Sequence, residues 1–397
     1  MLTVEQALEQ ILSRFKPLES ERVELLSSLG RVLAEEVVSR REIPPWANSS
    51  MDGYAVRAGD TGDVELTVVG QVAAGSLPPR PVGAREAMRI FTGAPLPDGA
   101  DAVVPQEDVT ARDGVIRLAA RVEPGAYVRP AGEDIRVGDQ VLERGAALGA
   151  AEIGLLATLG YTQVSVYRRP RVAILSTGDE LADLGTEPRP GQIPNTNTYS
   201  LMAQVLEAGA EPINLGVAPD NLETIEERLR TGLGADVIVS SAGVSVGDLD
   251  LVKEALTRLG AELHLWQVSM RPGKPITFGS VAGTPIYGLP GNPVSAMVTF
   301  ELFVRPALRR MAGHRHLDRP RIRARAARRI TNHGARRGYL RVGLVRDGGD
   351  WRATLTGDQG SGILRSMVLA DGLAVVPGDT VIEPGGDVEV ILLKGLS

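Results

Sequence analysis

The sequence predicts a multidomain protein of α/β and β architecture, with a central doubly wound α/β domain, an inserted β domain, a small C-terminal β barrel and a helical N-terminal region. Between residues 169 and 313 candidate strands and helices alternate, the pattern of right-handed βαβ units on a mostly parallel sheet. From about Pro44, and again after His314, the texture turns to short β-rich stretches punctuated by Gly and Pro. At 397 residues the chain exceeds what one hydrophobic core usually serves, so two to four domains are expected.

The elements follow in order. TVEQALEQILSRF (3–15) spaces its apolar residues as a helix behind a Thr N-cap, and ELLSSLGRVLAEEVV (24–38) continues in the same style. VELTVVGQV, AMRIFTG and GVIRLAARV then read as strands. LGAAEIGLLATLG (148–160) reads as a helix that groups with the N-terminal ones, giving a helical domain of 1–43 plus 138–168 with a β domain, 44–137, inserted. In the α/β domain, 169–313, the strands are RVAILST, PINLGVA, ADVIVSSAG and ELHLWQV; the helices are TYSLMAQVLEAG, NLETIEERLRTG and DLDLVKEALTRLG. RIRARAARRI, GYLRVGLVRD, WRATLTG and LAVVPGD supply short β segments to a C-terminal domain, 314–397.

Composition narrows the function. Hydrophobic residues make up 43% and charged residues 23%, ordinary for a folded globular chain. A net charge of −6 argues against a nucleic-acid partner, because that affinity rests on Lys and Arg neutralising phosphates. No apolar run approaches the roughly 18 residues of a membrane span, and the N-terminus is amphipathic and acidic rather than a signal peptide, so a cytoplasmic protein is expected. With no cysteine there is no disulfide or thiolate ligand, and any metal must be held by oxygen or nitrogen.

Polar residues collect where an α/β fold places its sites, beyond the carboxyl ends of the strands. RVAILST runs into Gly178, Asp179 and Glu180, PINLGVA into Asp220, and ADVIVSSAG into Ser245, Asp248 and Asp250. Carboxylates crowded on one edge suit a cation such as Mg²⁺ or proton handling, although an Asp after a strand is also a common helix N-cap. Ser241 and Gly243 belong to a small-residue turn that suits a phosphate or merely permits tight packing. Arg271 and Lys274 in RPGKP are cations fixed between prolines, as an oxyanion would require. Pro290 and Pro293 in LPGNP open a helix with exposed amides, or simply stiffen a turn. Asp52 in IPPWANSSMDGYA, Thr92 in FTGA, and Arg129, Glu133 and Asp134 in one charged stretch are polar turns that could equally be surface features. The Arg-rich RIRARAARRI reads as a half-exposed strand, and His314 with His316 lacks the spacing of a zinc site.

Taken together, PPWANSSMDGYAV, STGDEL, SSAGVSVGDLD, RPGKP and LPGNPVSAMVTFELFVRPAL resemble, in order and rough spacing, the signature segments of the molybdopterin molybdenumtransferases, including the corresponding domain of gephyrin. The resemblance spans nearly the full chain. The α/β segment alone also resembles molybdopterin adenylyltransferases, which lack the MDGYA loop and both β domains. What the resemblance implies is a molybdopterin-binding-like α/β domain in an elongated four-domain protomer. It further implies a homodimer with sites at the subunit interface. The implied reaction is ATP-independent: molybdate enters adenylylated molybdopterin and AMP is released. Carried over by position, Asp52, Asp134, Glu180, Asp220, Ser245 and Asp250 are the implied catalytic set, with Asp52, Glu180 and Asp250 as ligands to Mg²⁺. Thr92, Arg129, Ser241, Gly243, Asp248, Pro290 and Pro293 are the implied substrate contacts. Arg271, Lys274, Arg336 and Ser361, the last two within GARRGYLR and QGSGIL, are the implied molybdate or phosphate contacts. Arg271 stands where many members carry Lys, and Ala242 where the family usually has Gly. Implied partners are the molybdopterin adenylyltransferase and recipient molybdoenzymes. Two other readings stay open: a non-catalytic scaffold, and an ATP-consuming adenylyltransferase-type enzyme, which ATP turnover would separate.

Overall fold

The computed structural model describes residues 1–241 and 251–395, with the side chains of Leu265 and Trp266 outside the description. The chain divides into two compact units: Met1–Ala34, Gly145–Gly149 and Gln163–Ser397 form one, Glu35–Arg144 and Ala150–Thr162 the other. Among the described residues no helix is long and apolar enough to cross a membrane.

The first unit opens with helix Val4–Leu12, closed at its start by a capping box in which Thr3 Oγ1 accepts from the Gln6 amide while Gln6 Oε1 accepts from the Thr3 amide. Its Val4, Ala7 and Ile11 enter the core. The second helix expected over 24–38 does not form. A strand, Ser20–Glu24, pairs antiparallel with Gln163–Tyr167, a 3₁₀ turn spans Leu25–Ser28, and Gly30 takes φ +75. Leu26 and Leu29 stay exposed, so the helical spacing never becomes a buried stripe, and tertiary strand pairing overrides it.

The central sheet runs in the order Glu211–Ala218, Arg171–Thr177, Val237–Ser241, Thr284–Leu289, Pro275–Val281, Glu262–Gln267. Its first four strands are parallel. Pro275–Val281 is antiparallel to both its neighbours, so ELHLWQV reaches the sheet edge through a hairpin absent from the sequence reading. The hairpin turns at Ala282 and Gly283, both with positive φ, as a tight two-residue turn demands. Strand side chains alternate between two cores. Val172, Ile174, Val237 and Val239 pack with Leu201 and Val205 on one face; Ala173, Leu175 and Ile238 pack with Ile225, Leu229 and Leu256 on the other. Helices therefore cover both faces, as a doubly wound sheet requires.

Helix Pro293–Thr299 passes through a π turn, Phe300–Val304, into helix Arg305–Met311. Pro306 donates no amide hydrogen and crowds the preceding turn, which the wider π turn accommodates. Beyond it, five strands close into a barrel: Arg337–Asp347 pairs with both Asp350–Leu355 and Gly372–Val376, and the circuit is completed through Arg321–Ala326 and Asp387–Leu392. On the barrel strands Arg321 pairs with Glu389 and Arg325 with Asp387, so the basic stretch is a neutralised strand face. A short strand, Met270–Arg271, lies parallel to Arg337–Gly338 and joins the α/β sheet's outgoing chain to the barrel.

The second unit carries a six-stranded sheet in the order Ala102–Pro105, Gly53–Val56, Glu86–Ile90, Val64–Val72, Val115–Leu118, Val109–Arg112. Helix Ala150–Thr158 belongs to this unit and Val4–Leu12 to the other.

Candidate active site

In the first unit, a cleft of about 380 Å³ opens at the carboxyl ends of the parallel strands, lined by Glu180, Asn195, Asn197, Ser241, Gly291 and Pro293 among others. Three residues expected at a site, Glu180, Ser241 and Pro293, thus share one wall. Asn195 caps helix Thr196–Glu207 by accepting from the Thr198 amide, and its Nδ2 donates to Thr198 Oγ1, 2.9 Å away. Asn197, in the first turn of that helix, donates from Nδ2 to Ser241 Oγ and to the Gly291 carbonyl, each at 2.7 Å. The Asp220 amide donates to Asp179 Oδ1, so Asp220 is held at the neighbouring strand end. Ser245, Asp248, Asp250 and Gly243 lie outside the described residues.

A second group surrounds the RPGKP turn. Gly273 takes φ +100 and packs against helix Pro293–Thr299, where a Cβ would stand 2.5 Å from Thr299 Oγ1. The seam between Met270–Arg271 and Arg337–Gly338 fixes Arg271 on the barrel, and Arg336 Nη1 donates to the Met270 carbonyl at 3.4 Å. Ser361 offers its carbonyl to the Val294 amide, tying its loop to the helix start that follows Pro290. Arg337, beside Arg336, is engaged elsewhere, with Glu5.

The same barrel holds a residue the sequence reading passed over. Arg341 is fully buried; its Nε donates to Ser366 Oγ and its Nη2 to the Gly360 carbonyl, both at 3.0 Å. Among the described residues its Nη1 is buried without a hydrogen-bond partner. Burial holds the Arg341 guanidinium down to about 10, Asp358 opposes that shift and the nearby Arg271 charge adds to it. An unpartnered cationic donor beside a second cation and a serine loop is the electrostatic profile of a site built for an anion.

In the second unit, three turns that read as separate in the sequence converge. Asp52 Oδ1 accepts from both the amide and the hydroxyl of Thr92, each at 2.8 Å. Val128–Arg129 pairs antiparallel with Asn48–Ser49, and the Ser50 amide and hydroxyl both donate to the Tyr127 carbonyl. The Asp134 amide donates to the Ile43 carbonyl at the base of the same loop. Arg89, seen in the sequence only as a strand residue, lies over the rings of Tyr54 and Phe91, 5.0 and 5.1 Å from their centroids.

The Thr92 amide, then its hydroxyl, hold the exposed Asp52 carboxyl below its ordinary range, with Arg89 adding a smaller push. A depressed folded value means that this bond stabilises the fold above the ordinary carboxylate range and is lost as pH falls through the folded midpoint. Thr92→Ala is expected to move the Asp52 midpoint upward without restoring it fully, since the backbone donor remains. Titration of the carboxyl carbon by NMR would reveal this, and an unmoved midpoint would refute it.

Among the described residues no three His, Asp or Glu side chains stand close enough to hold a metal ion. Among the described residues, Glu180 and the carboxylates near it do not by themselves make a cation site.

Three family models cover the chain: "MoeA N-terminal region (domain I and II)" matches residues 2–160, "Probable molybdopterin binding domain" 173–310, and "MoeA C-terminal region (domain IV)" 323–393. The chain belongs to the MoeA family. Among its relatives, the molybdopterin molybdenumtransferase of Nostoc sp. is 41% identical over 94% of this chain and 89% of its own. Molybdopterin molybdenumtransferase 1 of Mycobacterium tuberculosis is 36% identical over 94% of each. A crystal structure of a molybdopterin biosynthesis MoeA protein from Pyrococcus horikoshii, 30% identical, covers 99% of this chain and 100% of its own at a TM-score of 0.85. The MoeA fold therefore accounts for both compact units and for the closed barrel.

Proposed function

We propose that this enzyme is a molybdopterin molybdenumtransferase, inserting molybdate into adenylylated molybdopterin with release of AMP. Family membership supports the reaction, and the unpartnered Nη1 of buried Arg341 is the observation that carries the placement of molybdate. Arg341, Arg271, Lys274, Arg336 and the Ser361 hydroxyl hold the tetrahedral dianion, so that insertion into the dithiolene proceeds by proximity without any protein thiolate. The strand-end cleft with Glu180, Asn197, Ser241 and Pro293 holds the phosphoanhydride end of the substrate; Pro290 and Asp220, and Ser245, Gly243, Asp248 and Asp250 outside the described residues, are assigned to the same step. Within the second unit, Asp52, Asp134, Thr92 and Arg129 are the residues this reading assigns, with Asp52 held as a carboxylate by Thr92.

Mg²⁺, carried by Glu180 and Asp250, would neutralise phosphate charge. No step is assigned to it, since the described carboxylates alone do not gather three ligands. The same reading includes a homodimer, a cytoplasmic setting, the adenylyltransferase as supplier and molybdoenzymes as recipients, and the four-part division with a separate inserted β domain.

The test is purified protein with adenylylated molybdopterin, Mg²⁺ and molybdate, without ATP. Molybdate-dependent AMP release, together with reconstitution of a cofactor-free molybdoenzyme, is the expected result. Substrate binding with no turnover would overturn it.

A further inference from the structure

We infer that Asn197 is a positioning residue that sets the hydrogen-bond polarity of the strand-end cleft, leaving the Ser241 hydroxyl as a donor to a substrate phosphate oxygen. The Gly291 carbonyl can only accept. The Asn197 side-chain atom 2.7 Å from it must therefore be the amide nitrogen, and this fixes which way the amide faces. The same nitrogen lies 2.7 Å from Ser241 Oγ, so its second hydrogen goes there and the Ser241 oxygen accepts. A hydroxyl that accepts from one side keeps its own hydrogen for another partner. Ser241 is buried to 1% exposure at the end of its strand and lines the cleft, and among the described residues no acceptor takes that hydrogen, so it is assigned to a ligand atom.

Asn197 thereby translates a backbone carbonyl in the LPGNP turn into a donor at the strand end. Both amide hydrogens are engaged by the protein, so Asn197 has only its oxygen left for a ligand, which does not attract an anion. The anion is therefore directed to Ser241. This inference rests on the proposal that the cleft holds the phosphoanhydride end of the substrate.

The experiment is calorimetric binding of AMP and of adenosine to the full chain, its Asn197→Asp and Asn197→Ala variants, and Ser241→Ala. The ionised carboxylate that Asn197→Asp introduces only accepts, so it repels the Gly291 carbonyl and draws the Ser241 hydrogen toward itself, turning serine lone pairs to the phosphate. AMP affinity is expected to fall roughly tenfold or more in Asn197→Asp, the scale of one hydrogen bond to a charged group, with adenosine affinity nearly unchanged. Ser241→Ala should lose a similar factor for AMP, and adding Asn197→Ala to it should cost little more. A purely structural role would lower both ligands together. Equal AMP affinity in wild type and Asn197→Asp, or parallel losses for AMP and adenosine, would overturn the inference alone. No AMP binding by the wild-type chain would overturn it together with the placement of the anhydride in this cleft.

Discussion

Replacing Arg341 with methionine is expected to lower molybdate-dependent turnover by about two orders of magnitude or more, the scale of losing one preorganised charge-stabilising donor. Folding stability should change little. The buried guanidinium carries a desolvation cost, seen in its value lowered to about 10, and among the described residues its Nη1 gains no bond in return. Methionine removes that cost and fills much of the same space, while the lost bonds to Ser366 Oγ and the Gly360 carbonyl act in the opposite direction. Arg341→Lys separates charge from geometry: one compact ammonium cannot serve Gly360, Ser366 and an anion together, so KM for molybdate should rise more than kcat falls. Molybdate should raise the melting temperature of the wild type and leave that of Arg341→Met unmoved. A wild-type molybdate KM in Arg341→Met would place the anion elsewhere.

Gly273→Ala should be the most damaging small substitution in the chain's cationic turn. The residue needs φ +100, where an L side chain is strained, and its Cβ would sit 2.5 Å from Thr299 Oγ1 and 3.0 Å from Met270 Cε. We expect a destabilisation of about 1–3 kcal/mol from the backbone conformation alone, read by denaturant unfolding. Steady-state kinetics should show a larger loss in molybdate affinity as Arg271 and Lys274 move apart. Thr299→Ala in the same chain removes the clashing oxygen but not the conformational strain, so the double variant should recover part of the stability. If Gly273→Ala unfolds with the wild type and keeps its molybdate KM, the turn is not the device described above.

The parts of the fold legible in the sequence were those whose pattern has one physical solution. RVAILST is buried on both faces, and Arg171–Thr177 forms as written; NLETIEERLRTG carries a full apolar stripe behind its Asn cap and becomes Leu222–Gly232. The segment 24–38 has helical spacing, but Val32, Leu33 and Val37 are buried while Leu26 and Leu29 stay exposed, so no single helical face is covered, and the hairpin of Pro275–Val281 with Thr284–Leu289 is obscured by a proline and a glycine inside each strand. Site residues were legible as types in turns, but not as partners. Asp52 and Thr92 lie 40 positions apart and meet only because Gly53–Val56 and Glu86–Ile90 pair in the sheet. Arg341 looked like any polar residue in an alternating strand, since only barrel closure decides that its side chain faces inward. Asn197 sits two residues after a helix cap, in a stretch where Asn is expected for capping alone.

The short seam of Met270–Arg271 against Arg337–Gly338 has a bearing on how such a protein can be recombined. Backbone hydrogen bonds, which do not depend on side-chain identity, set the register between the cationic turn and the strand that carries Arg341. A barrel grafted from another member onto this α/β sheet could differ at most surface positions and still assemble the anion site, provided that two-residue register is kept. A shift of that two-residue register by one position would leave the rest of each parent's fold in place while moving Arg271 and Arg341 out of step.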